Sequence, residues 1–240
     1  MADLVLLHGF TQTGASWDGV RARLPAGTPT KAPDLRGHGS AGAERPVTLE
    51  ALLDDLDALV PARAVLAGYS MGGRLALHHA LAEPGRLARL VLVGAGPGLA
   101  DTAERADRRA ADEALADRIE AGTIEAFATE WGALGLWAGQ PSGVAAAARD
   151  DRLRNAPAGL AAALRGLGTG ALPPVWDRLE ELDLPVELIV GARDAKFRAI
   201  AEAMAARMAR ATVTVVAGAG HAAHLERPDA VARVLSSHAA

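Results

Sequence analysis

No cysteine occurs among the 240 residues. Disulfides, zinc–thiolate sites and thiol nucleophiles are therefore excluded. Aromatic residues make up only 3% of the chain, so a core has to be built from Ala, Val and Leu. Apolar residues account for 50%, enough to bury a sizeable core. Charge of one sign is not in marked excess. The formal net charge of −4 is too mild to indicate a nucleic-acid partner. Long apolar runs are also missing, and none approaches the ~18 residues of a membrane span. The start, Met1-Ala2-Asp3 and then Leu4–Leu7, has neither the basic head nor the apolar length of a signal peptide. These absences imply an unsecreted protein, expected in the cytoplasm. The length suits one domain with a lid, or two small domains.

What is present is an alternation. Short apolar runs at Leu4–Leu7, Ala64–Ala67, Leu90–Val93, Val186–Val190 and Val213–Val216 are bounded by Gly, Pro or charged residues, as buried parallel strands are. Helical patterns lie between them at Leu49–Val60, Met71–Leu81, Phe197–Met208 and Pro228–Ser236. This predicts a doubly wound, mostly parallel α/β sheet. The alternation breaks between Leu99 and Leu182. There Asp101–Ala121, Ile124–Leu134, Val144–Asn155 and Gly159–Leu167 read as helices with Gly and Pro at the joints. Residues 1–98 and 183–240 are thus expected to form the core, and 99–182 a helical lid.

Gly68-Tyr69-Ser70-Met71-Gly72 matches G-x-S-x-G between a strand and a helix. In such a nucleophile elbow the serine occupies a strained turn, and side chains at the glycines would collide with neighbouring backbone. The hydroxyl is pushed above the sheet, toward the free N–H groups of the helix start. The His8-Gly9-Phe10 loop follows the first strand. It is expected to supply one oxyanion-hole N–H from Phe10, with Met71 supplying the other. His8 itself is read as a brace for that loop.

A base and its orienter should follow in the order Ser, Asp, His. Asp194 and His221 each stand just past a strand, at the carboxyl edge of the sheet where open α/β folds bind ligands. His221 would take a proton at one ring nitrogen while Asp194 fixes the other. His224 is a competitor for the base, or a surface or packing residue. Asp177 and Asp183 precede the strand and fit less well. His38 is read as a loop residue, and His78, His79 and His238 as helix-surface residues. No His/Asp/Glu cluster has metal-ligand spacing, and no metal or cofactor is expected.

With these motifs in hand, the chain resembles the α/β-hydrolase superfamily, a fold that hosts many chemistries. A narrower resemblance runs over nearly the whole length. Four segments carry it: Gly68–Arg74, with arginine after the glycine pair; Pro97-Gly98-Leu99 followed by Ala103-Glu104-Arg105-Ala106-Asp107-Arg108; Gly191-Ala192-Arg193-Asp194-Ala195-Lys196-Phe197-Arg198; and Ala219–His224. They are similar to the 2-succinyl-6-hydroxy-2,4-cyclohexadiene-1-carboxylate synthases, lyases of menaquinone biosynthesis. The resemblance implies elimination of pyruvate from 2-succinyl-5-enolpyruvyl-6-hydroxy-3-cyclohexene-1-carboxylate, a small-molecule tricarboxylate. It implies Tyr69, Arg74, Arg108, Trp131 and Arg154 as substrate-binding residues. Arginine is apt there because its fork binds carboxylates by paired hydrogen bonds. Lys196 and Arg198 are read as bracing the Asp194 loop. Against the full fold the chain lacks the first two strands, so the lid falls after what is the sixth strand there. The lid is alanine-rich, and Gly132 follows Trp131.

The resemblance implies a triad acting as general base, with no covalent adduct. Two rival readings remain open at this point. One is an ester or carbon–carbon bond hydrolase working through an acyl-enzyme on Ser70. The other is a non-catalytic small-molecule receptor on the same fold.

Overall fold

The computed structural model describes residues 3–237; His238 lies outside them. Six strands form one sheet in the order β2-β1-β3-β4-β5-β6, and every pairing is parallel. The strands are β1 Leu4–Leu7, β2 Thr30–Lys31, β3 Ala64–Tyr69, β4 Leu87–Val93, β5 Val186–Gly191 and β6 Ala211–Val216. β2 has two residues and no apolar run, so nothing in the pattern announces it. The longer helices flanking the sheet are α2 Leu49–Leu59, α3 Met71–Ala82, α8 Ala195–Ala205 and α10 Pro228–Ser236. Two short ones, α1 Asp18–Arg21 and α9 Ala223–Glu226, lie in the loops.

Both faces of the sheet are covered, which is why the strands read as continuous apolar runs. In β1, Val5 and Leu7 enter one apolar cluster while Leu4 and Leu6 enter the other, as the two-residue period of a strand requires. The first cluster packs Leu66, Leu90 and Leu188 against Leu75 of α3 and Met204 of α8. The second packs Val91 and Ile189 against Trp17 and against Val231 and Leu235 of α10.

Between β4 and β5 the chain is helical: α4 Thr102–Ala121, α5 Ile124–Gly132, α6 Ser142–Arg152 and α7 Pro157–Leu167. Side-chain caps start two of them, Asp101 accepting from the Glu104 N–H and Thr123 from the Ala126 N–H. Pro157 occupies the first turn of α7, where its missing N–H costs nothing. The insert has its own apolar cluster of Ile119, Phe127, Leu160 and Leu164. Arg165 of α7 fastens α4 from outside, contacting Glu113 at 2.7 Å, Asp117 at 2.6 Å and Glu120 at 2.9 Å.

Two charges interrupt the apolar strands. Arg89 of β4 and Glu187 of β5 are buried and pair at 3.4 Å, with Thr214 donating to Glu187 at 2.6 Å. Removing one partner strands the other charge in the interior. Arg89→Ala is expected to cost about 3–5 kcal/mol of stability, whereas Arg89→Met with Glu187→Leu recovers most of it. Urea unfolding of both variants checks this, and equal losses in the two would contradict it.

Candidate active site

Ser70 sits between β3 and α3 with φ 48° and ψ −108°, a backbone that L-residues rarely adopt. Close approach of strand and helix holds it there. A Cβ on Gly68 would stand 2.5 Å from the Gly73 nitrogen, and one on Gly72 would stand 2.5 Å from the Leu7 carbonyl oxygen. The Ser70 N–H is fixed to the Val93 carbonyl at 2.9 Å. Among the described residues, the N–H groups of Phe10 and Met71 donate to no protein acceptor. Both residues line the same cavity as Ser70.

His221 donates from Nδ1 to Asp194 Oδ2 at 2.7 Å. Asp194 also caps α8, Oδ1 accepting from the Phe197 N–H at 3.2 Å, so one carboxylate sets both the helix start and the imidazole. The Phe197 ring packs 4.5 Å from the His221 ring. Ser70 Oγ and His221 Nε2 take no hydrogen-bond partner among the described residues, and both residues line one cavity.

The other histidines have structural work. His8 accepts from the Leu35 N–H at Nε2 (2.9 Å) and donates from Nδ1 to the Gly9 carbonyl (2.9 Å), which makes it a neutral brace of the Phe10 loop. Burial pulls it down to about 4. His38 is a buried loop residue, edge-on to His8 and Phe10, and burial pulls it to about 3. His224 is a packing residue, buried between Trp17 and Tyr69 with ring centroids 4.8 and 4.1 Å away. Burial and the neighbouring His221 lower it to about 3, which leaves it no role as a base. His78 and His79 are not surface residues: both are buried, the first under Arg74 and Arg178 and the second against Asp57 at 3.1 Å. α3 is covered on nearly all sides, so its polar positions carry no surface signal. Asp177 and Asp183 are fully exposed and far from this edge, facing Arg207 and Arg210.

The cavity above Ser70 measures about 230 Å³ and joins Ser70 and His221 to Arg74, Arg108 and Lys196. Burial, and then the neighbouring Arg108, pull the Arg74 guanidinium down to about 10. Arg108 donates from Nε to Asp112 at 2.7 Å. Trp131 lines the cavity too, edge-on to Phe10 at 5.4 Å and tilted against Phe127 at 5.5 Å.

Four further residues singled out in the sequence take these places. Tyr69 does not line this cavity; its buried ring packs behind the elbow on His221 and His224. Arg154 lies past the end of α6, largely exposed, and lines a separate cleft with Asp34 and Ser40. Two residues apart at a helix end point in opposite directions, and it is Arg152 that turns inward. Arg152 is buried without a carboxylate partner among the described residues, donating to Thr11 Oγ1 at 3.3 Å and the Ala128 carbonyl at 3.4 Å. It lies near Tyr69, whose hydroxyl burial pushes up and Arg152 pulls down. The helical spacing Val144, Ala148, Arg152 carried that signal. Lys196 lines the cavity and does not brace the Asp194 loop, while Arg198 pairs with Glu202 on the surface. The loop's brace is Arg193, which contacts Glu226 at 2.5 Å and the Gly139 carbonyl of the insert. Among the described residues, no group of three His, Asp or Glu could hold a metal ion, and no helix is long and apolar enough to cross a membrane.

His8, His38 and His224 stay neutral in the fold at pH values where the unfolded chain protonates them. Their stabilising effect is complete above the unfolded value of about 6.5 and is lost as pH falls toward folded values of about 3–4. Each contributes a slope of up to ~1.4 kcal/mol per pH unit in that window. Denaturant midpoints are expected to fall from pH 6.5 to 4, less steeply in His224→Phe. A flat profile would contradict this.

The Alpha/beta hydrolase family model matches residues 4–234. A Bacillus subtilis (strain 168) protein, provisionally named 2-succinyl-6-hydroxy-2,4-cyclohexadiene-1-carboxylate synthase, is 37% identical over 97% of this chain and 88% of its own length. The protein of that name from Serratia proteamaculans (strain 568) is 33% identical over 97% and 91%. The solved structure of MenH from S. aureus superposes with a TM-score of 0.92 at 29% identity, covering 98% of this chain and 91% of that one.

Proposed function

The chain belongs to the α/β-hydrolase family and, within it, to the 2-succinyl-6-hydroxy-2,4-cyclohexadiene-1-carboxylate synthases; from that premise we propose that Ser70 is the base of a pyruvate-eliminating lyase. The substrate is 2-succinyl-5-enolpyruvyl-6-hydroxy-3-cyclohexene-1-carboxylate, which carries three carboxylates. The observation that carries this reading is the cavity itself, where Arg74, Arg108 and Lys196 surround Ser70 and His221. A neutral ester would offer those cations no counter-charge, whereas a carboxylate can take paired hydrogen bonds from an arginine.

The succinyl ketone acidifies the ring hydrogen beside it. The Ser70 oxygen removes that proton while its own passes to His221 Nε2, and Asp194 stabilises the imidazolium. Charge reaching the ketone oxygen is met by the free N–H groups of Phe10 and Met71. The electron pair moves through the ring double bond and breaks the carbon–oxygen bond to the enolpyruvyl group. Pyruvate departs as its enolate and takes the proton held on His221, which restores the neutral imidazole; Ser70 keeps the ring proton as its hydroxyl, and the 2,4-diene remains. No covalent adduct forms.

Trp131 packs on the ring, and Arg152 takes the role expected of Arg154 as the further cation, with Tyr69 beside it. Residues 99–182 act as the lid, and the cytoplasmic setting and the absence of a nucleic-acid partner belong to the same reading.

Ser70→Ala is expected to reduce kcat by several orders of magnitude, measured as pyruvate release; retention of most activity would end this role. Arg152→Ala raises KM about ten-fold or more. Arg154→Ala stays within about two-fold, since exposed pairs contribute little. The reverse ranking would restore the original choice.

A further inference from the structure

The two arginines nearest Ser70 are aimed by one piece of the insert. Arg74 donates from Nη1 to Thr169 Oγ1, in the turn that follows α7. Its Nε–H is buried with no partner, a donor left for a bound anion. Arg108 donates from Nε to Asp112 Oδ1 at 2.7 Å, and Asp112 Oδ2 accepts from the Gly170 N–H of the same turn at 3.4 Å. The terminal amino groups of Arg108 take no protein partner among the described residues. The turn fits without slack: a Cβ on Gly168 would stand 2.8 Å from Asp112 Oδ2, and one on Gly170 would stand 2.5 Å from the Arg109 Cα.

Two like charges are thereby brought close enough for Arg108 to lower the pKa of Arg74. Left free, such long side chains would swing apart, and a partner on one side of each guanidinium prevents it. Thr169 is the better choice for Arg74, since a neutral acceptor fixes the fork without competing with an anion. Asp112 is buried at 4% exposure and holds Arg108 by its Nε only.

We propose that Thr169 and Asp112 are positioning residues that preset Arg74 and Arg108 as a paired clamp for one carboxylate end of the substrate. This rests on the lyase reading above. Neither residue needs to touch the substrate; each acts through its arginine. Because the clamp holds ground state and transition state alike, its loss raises KM and spares kcat.

Two double-mutant cycles test it, read by steady-state pyruvate release. Thr169→Val keeps the shape and removes the acceptor. It is expected to raise KM about ten-fold with kcat nearly unchanged, and Thr169→Ser restores the original value. In an Arg74→Ala background, Thr169→Val adds nothing. Asp112→Asn behaves the same way toward Arg108→Ala. Additive effects in both cycles, failure of Thr169→Ser to rescue, or a fall in kcat at constant KM overturns the proposal. Absence of pyruvate release by the unaltered enzyme would instead overturn the lyase reading. If that enzyme is active and Arg74→Ala impairs it, additive cycles remove the positioning roles alone.

Discussion

Everything at the active edge depends on one steric constraint, the left-handed turn at Ser70. It exists because β3 and α3 touch through glycine: side chains at Gly68 or Gly72 would enter the backbone of the helix or of β1. Three consequences follow from that contact. The hydroxyl stands clear of the sheet. The Met71 N–H is left without a helical acceptor. Arg74, bonded through its N–H to the Ser70 carbonyl at 3.0 Å, is carried into the same cavity one turn later. The strain of a non-glycine residue at φ 48° is of order 1–3 kcal/mol and is held by the packed sheet beneath.

The same elbow serves hydrolases, so the chemistry has to come from what surrounds it. Here the surroundings are cationic. Arg74 is partly buried beside Arg108, with its guanidinium pulled down to about 10 by burial and by its neighbour. Two neighbouring cations on one cavity suit an anionic ligand, which is the basis of the substrate-binding role proposed for them. The Asp194–His221 bond at 2.7 Å supplies a held imidazole, and Phe10 and Met71, whose N–H groups take no protein acceptor among the described residues, line the same cavity. The proposed proton removal uses each of these groups and requires no attack by serine on a carbonyl.

Much of this was legible before any coordinates. The apolar runs of β1, β3, β4 and β5 are buried on both faces and bounded by breakers, so their pattern survives intact, and the edge strand β6 still reads as a valine-rich run although it is partly exposed. The elbow, Asp194 and His221 were readable because their spacing against strands is set by backbone geometry. β2 was silent, because two residues carry no pattern. The Arg89–Glu187 pair is silent because Arg89 reads as the boundary of the Leu90–Val93 run, and its partner lies on a strand far along the chain. His78 and His79 were misread because α3 is buried almost all round. The resemblance implies Arg154, whereas the spacing Val144, Ala148, Arg152 follows the more buried face of α6. Lys196 faces the cavity because Asp194 caps α8 and fixes where its first turn points, which a linear reading cannot show.

A competitive isotope experiment asks directly whether the reaction proceeds by breaking the ring carbon–hydrogen bond. Unlabelled substrate and substrate deuterated at the ring carbon bearing the succinyl group are turned over together, and the unreacted fraction is analysed by mass spectrometry at high conversion. Committed proton removal from that carbon, the proposed step, predicts that the remaining substrate becomes enriched in deuterium. An unchanged isotope ratio would contradict it.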